Sequence, residues 1–174
     1  MKVSLVWLSV LLVFAAPAPC QSATPSAELT QHAQSGDAQA QFELGRAYEE
    51  GKGVQQDDER AVEWFRKSAD QKYAQAQNSL GVMYALGRGV QQDKEEAVRW
   101  YKKAAKQGLA EGIYNVAISY YNGEGVGADM VAAYAWMTLA QSKGDPQAAE
   151  AVKRIGGEMK NEPAVGKFQL GPNV

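Results

Sequence analysis

The stretch LGRAYEEGKGVQQDDERAVEWF, residues 44–65, returns as LGVMYALGRGVQQDKEEAVRWY at residues 80–101. The shift is 36 residues, since 80 − 44 = 36, and it carries Leu44 to Leu80, Gly45 to Gly81, Tyr48 to Tyr84 and Ala61 to Ala97. Gly51-x-Gly53-Val54 falls on Gly87-x-Gly89-Val90, and Trp64 falls on Trp100. A second shift reaches a looser copy with Val116, Tyr120, Gly123, Gly125, Val126, Asp129, Ala133 and Trp136 in register. A fixed period of this size marks an array of stacked supersecondary units.

Inside each unit the apolar residues recur at helical spacing. Ala40, Leu44 and Tyr48 form one stripe, and Ala61, Trp64 and Phe65 another, so each unit reads as two helices. Gly51 follows the last apolar residue of the first helix, where a left-handed residue ends a helix without steric cost. Gly53 lets the chain reverse, and Val54 can fill the gap between the helix ends. Asp57, Asp93 and Asp129 stand where a carboxylate caps the next helix, and Asp93 with Glu96 has capping-box spacing. The small residues Ala40, Gly45 and Ala61 allow close helix approach. Trp64, Trp100 and Trp136 are expected to be buried anchors that fill the larger spaces.

The pattern A-x-x-x-L-G-x-x-Y-x-x-G-x-G-V, followed by D-x-x-x-A-V-x-W and a basic-alanine run such as YKKAAKQG, is similar to the Sel-one-like repeat. It covers about residues 36–145. The resemblance implies an all-α fold, a right-handed α-solenoid of antiparallel helix pairs. It also implies an adaptor or scaffold that binds a protein or peptide, and many bacterial relatives are exported. A related group with cysteine-rich repeats is linked to β-lactam binding or hydrolysis, but the repeats here contain no cysteine.

The units are expected at about residues 36–71, 72–107 and 108–145, within an array over 26–160. Residues 26–35 align with the tail of a second helix, Ala33 shifting onto Ala69, and read as an N-terminal cap. In the third unit Thr138 and Leu139 replace the Arg66-Lys67 and Lys102-Lys103 pairs, so a solvated face turns apolar and needs cover. The segment 146–160 offers it, with Ala149, Val152, Ile155 and Met159 at helical spacing, although Gly156 and Gly157 weaken its last turn. Residues 161–174 lack apolar periodicity and read as a loose tail.

Residues 1–20 read as a signal peptide: Met1-Lys2 precedes VSLVWLSVLLVFAA, an uncharged run too short to span a bilayer comfortably, which stops at Pro17. A periplasmic or secreted location follows, with no integral membrane segment after cleavage. Cys20 admits a second reading as a lipid-bearing residue, which Pro19 before it disfavours.

Eighteen Lys and Arg against 20 Asp and Glu give no electrostatic pull toward nucleic acid. One cysteine and one histidine leave no disulfide and no metal cluster to expect, and nothing points to a cofactor. His32 has no partner at triad spacing. Gly51-Lys52-Gly53 and Gly87-Arg88-Gly89 lack the preceding strand and third glycine of a dinucleotide loop. Glu49-Glu50 and Asp57-Asp58-Glu59 fall at helix ends, where acids serve as caps. No catalytic residue emerges, so an enzyme is not expected. The rival class, a cell-envelope hydrolase or β-lactam-related enzyme, would need convergent titratable groups in the groove.

In arrays of this type the first helices line the concave face. Arg46, Val82, Leu86, Ile118 and Asn122 lie there outside the core stripe and are the candidate partner-binding residues. The apolar members either form a binding strip with a wet rim or pack on a neighbouring helix.

Overall fold

The computed structural model describes residues 26–161, so the signal peptide and tail expected at the ends lie outside the described residues. Every described element is helical: α1 Ala27–Gln34, α2 Ala38–Glu50, α3 Asp58–Asp70, α4 Ala74–Leu86, α5 Lys94–Lys106, α6 Ala110–Asn122, α7 Met130–Ser142 and α8 Ala148–Asn161. Each helix packs chiefly on its neighbours in the chain, so pairs α2–α3, α4–α5 and α6–α7 stack into an α-solenoid with α1 and α8 at its ends.

The helix boundaries follow from side-chain chemistry. The Asp57, Asp93 and Asp129 carboxylates accept from the N–H groups of Arg60, Glu96 and Ala132, capping α3, α5 and α7. Asp37 does the same for α2, accepting from Ala40 at 2.6 Å. The capping box is only half built, because Glu96 turns to Arg99 instead. Gly51, Gly87 and Gly123 end α2, α4 and α6 in the left-handed conformation. The Asp57, Asp93 and Asp129 N–H groups each donate across the turn to the Tyr48, Tyr84 and Tyr120 carbonyls. That bond, repeated three times, fixes the angle between the two helices of every unit.

The core runs through the array as successive clusters. Phe65, Leu80 and Met83 are buried at the first junction, and Ile113, Val116, Met137 and Ile155 further on. The tryptophans do not share one environment. Trp100 is 5% exposed, whereas Trp64 and Trp136 are only half-buried. Trp100 sits at a junction with full units on both sides, while Trp64 packs toward the short α1, which cannot enclose an indole.

Three further expectations are corrected. The helix α8 buries Ala148, Ala151 and Ile155, with Val152 and Met159 half-buried and Ala149 exposed. Its rotation is set by the buried Asp145, whose carboxylate accepts from the Gln147 and Ala148 N–H groups. Leu139 therefore stays uncovered, at 41% exposed. The helix also continues through Gly156 and Gly157 to Asn161, and Gly156 brings its backbone onto the Tyr134 ring. Finally, the basic residues on α3 and α5 are not simply solvated. Arg66 donates to the Tyr84 hydroxyl at 2.6 Å and Lys102 to that of Tyr120 at 3.1 Å, each cation also lying over the ring it reaches.

Candidate functional site

The candidate residues belong to the three first helices α2, α4 and α6, and one register position supplies Arg46, Val82 and Ile118 while the next turn supplies Glu50, Leu86 and Asn122. On α2, Arg46 is exposed and pairs with Glu50 one turn on, so its charge is already partly answered. It borders a cavity of about 300 Å³ between α1 and α2, together with Ser26, Leu29, Glu43 and Lys52. On α4 and α6, Val82 and Ile118 are half-buried and pack against the core cluster of the second and third units. Leu86 is different: at 59% exposed it presents most of its side chain to solvent at the end of α4. Asn122 is exposed at the matching end of α6.

The structure thus brings Val82, Leu86, Ile118 and Asn122 onto two adjacent first helices. The hydrogen bonds of Arg46 go instead to Glu50 on its own helix, α2. Asn115 on α6 donates to the Asn78 carbonyl on α4 at 2.9 Å, tying the two helices side by side. Beneath Ile118 lies a small cavity of about 70 Å³ edged by Tyr101, Asn115, Ser119 and Glu124. Burial, and secondarily the Glu124 carboxylate, push the Tyr101 phenol up to about 12. It stays neutral near neutral pH, so this floor offers shape and hydrogen bonding rather than a titrating group.

The acidic clusters and the Gly-x-Gly loops find structural partners. Arg88, between its two glycines, holds Asp58 at 2.8 Å and Glu49 at 3.1 Å, both from the preceding unit. Glu124, the equivalent loop residue of the third unit, holds Lys94 at 3.0 Å. His32 is exposed on α1. Among the described residues there is no group of three or more His, Cys, Asp or Glu side chains placed to hold a metal, and no helix is long and apolar enough to cross a membrane.

Sequence reasoning passed over two features. Gln41 and Gln77 are buried, and each donates to a carbonyl of the preceding helix pair, Ala33 and Ala69 respectively, while accepting from Gln71 and Gln107. Their place in the repeated A-Q-A-Q run was the available signal. The second is Lys72, which holds a left-handed backbone conformation at φ 67° where the other junctions place Gly36, Gly108 and Gly144. The 36-residue register displays that substitution directly.

Comparison with known proteins places these features in a wider group. The family model described as Sel1 repeat matches residues 38–73, 74–109 and 110–145. No curated protein matches the chain. Among solved structures, a Sel1 repeat protein from Oxalobacter formigenes is 38% identical with a TM-score of 0.66, covering 73% of this chain and 96% of its own. The protein c5321, a protective antigen present in uropathogenic Escherichia coli strains, is 36% identical with a TM-score of 0.72 over 76% of this chain, which spans only 28% of that protein. Cysteine rich protein B of Helicobacter pylori, at 20% identity and a TM-score of 0.58 over 71% of this chain and 94% of its own, shares the fold.

Proposed function

The chain belongs to the Sel1 repeat family, and on that premise we propose that it is an exported, non-enzymatic adaptor that holds a protein or peptide on its first helices. Sel1 repeats are protein-interaction modules, which supports the general class. The observation that carries the finer reading is Leu86, a large apolar side chain left 59% exposed beside the half-buried Val82 and Ile118. An exposed apolar residue bordered by polar ones, here Glu50 and Asn122 at its register positions, suits the centre of an interface with a wet rim. The export half of the reading rests on the apolar run from Val3 to Ala16 behind Lys2.

The test uses Leu86→Lys, because Val82 and Ile118 contribute to the core and their replacement by lysine would confound folding with binding. Envelope and secreted proteins of the producing cell are passed over the immobilised chain. A discrete partner is retained by the wild type and lost from Leu86→Lys at unchanged melting temperature. Retention of the same partner by the folded variant sinks the strip as the binding surface.

A further inference from the structure

A cavity of about 440 Å³ opens between the first and second units, lined by the end of α3, the turn into α4, the first turn of α4 at Gln77, and α5, and shares no residue with the strip. Its lining includes Asp70, Lys72, Gln77, Trp100, Lys103 and Lys106. We propose that this cavity is a second binding site, one that takes a carboxylate side chain of an acidic peptide segment.

Charge is the first argument. Three ammonium groups face one carboxylate, a local balance of 3 − 1 = +2. None of Lys72, Lys103 and Lys106 is in an ion pair among the described residues, and the single carboxylate beside them leaves a net positive cluster that favours a ligand of the opposite sign.

At the positions of Lys72, Lys103 and Lys106 the preceding junction has Gly36, Lys67 and Asp70, and the following one Gly108, Leu139 and Ser142. Only this junction assembles three cations, although the same helix packing is achieved at the others. At Lys72 the departure carries a conformational cost, since its backbone sits at φ 67° where its counterparts are glycine. Strain kept where the fold does not need it points to a use for the side chain.

Trp100 supplies the third argument. Lys103 lies over its ring, 3.3 Å from the centroid, and the indole N–H is, among the described residues, the one buried side-chain polar atom without a hydrogen-bond partner. The ring and the aliphatic lysine stems suit the methylenes of a glutamate. A peptide brings backbone N–H donors beside its carboxylate, and these suit the acceptor oxygen of the Gln107 side chain, whose amide nitrogen donates to Gln77 at 2.8 Å. Free phosphate is the competing anion that the titration separates.

The experiment is a calorimetric and NMR titration of the full chain at physiological ionic strength. The probes are N-acetyl-tetraglutamate amide, N-acetyl-tetraglutamine amide and inorganic phosphate. The expectation is binding of tetraglutamate alone, a shift of the Trp100 indole N–H resonance, and a loss of affinity of about tenfold or more in Lys103→Gln/Lys106→Gln. Lys72→Gly is expected to melt higher, because glycine adopts this φ freely, yet to bind several-fold more weakly, which separates site from fold. Equal binding of tetraglutamine, or affinity untouched by these variants, overturns the proposal. Phosphate binding as tightly through the same lysines overturns it too, in favour of a simple anion site. Leu86→Lys is expected to leave tetraglutamate binding unchanged, so this site and the strip fail independently.

Discussion

Phe65, Tyr101 and Met137 share one register of the second helices, and Gly45, Gly81 and Ala117 share one register of the first. A Cβ at Gly45 would lie 2.7 Å from the Phe65 ring, and one at Gly81 would lie 2.6 Å from the Tyr101 ring and 3.1 Å from the Ala97 carbonyl. The flat rings need a bare backbone opposite them. In the third unit a methionine replaces the ring, and the facing position carries the methyl group of Ala117, both being fully buried. Methionine bends to fit where a ring cannot. Gly81→Ala is therefore expected to destabilise by about 1 to 3 kcal/mol through overpacking, outweighing the roughly 1 kcal/mol that alanine gains in helix propensity. Adding Tyr101→Met to it should produce a favourable coupling energy. Urea denaturation of the two single variants and the double variant checks this. Additive losses would show that the two positions do not shape one another. The glycines were visible in the repeat as small residues for close approach, but which ring each admitted required the packed helices.

At the scale of elements, the junctions between units carry a charge relation that inverts along the array. The first residue of α3, Asp58, meets Arg88 of the next unit, and the first residue of α5, Lys94, meets Glu124. A first unit mispaired with the third would set Asp58 against Glu124, so the inversion favours the native order of otherwise similar units. Lys94→Asp and Glu124→Arg should each cost up to about 1 kcal/mol alone, while together they recreate the first junction's pairing and recover most of the loss. Because both side chains are over two-fifths exposed, the coupling should fade in high salt. A coupling energy of zero at low salt would count against an ordering role. The loop glycines belong to the same junctions: a side chain at Gly89 would overlap the Asp58 carbonyl, and one at Gly125 the Lys94 carbonyl. Sequence spacing alone assigned these glycines to chain reversal, since the period shows what repeats and not what the repeat touches. The helices and their caps were readable because Asp and Gly act within one turn of the chain. The face of α8 was not, because Ala148, Ala149, Ala151 and Val152 allow several apolar stripes, and the buried Asp145 cap selects among them.

Over the whole molecule, the repeat sequence specified an array, and the array in turn decided how much of the candidate strip stayed available. From the sequence, Val82 and Ile118 admitted two readings, part of a binding strip or packed on a neighbouring helix. An inner helix of a solenoid touches neighbours on more than one side and buries a wider face, so these two residues support the junction between the second and third units. Leu86 escapes because it lies at the end of α4, beyond that contact. The lysine-lined cavity was also open to sequence reasoning through the Gly36, Lys72, Gly108 and Gly144 register, yet the meeting of Lys72 with Lys103, Lys106 and Trp100 depends on three elements packing together. The most direct test places the photo-crosslinking residue p-benzoylphenylalanine at Leu86 on α4, and in a separate protein at Ala135, an exposed position on α7 away from both the strip and the lysine-lined cavity. Irradiation in the producing cell is expected to give one discrete protein adduct from position 86 and none from position 135. Equal adducts from both positions, or none from position 86, would contradict a partner held on the first helices.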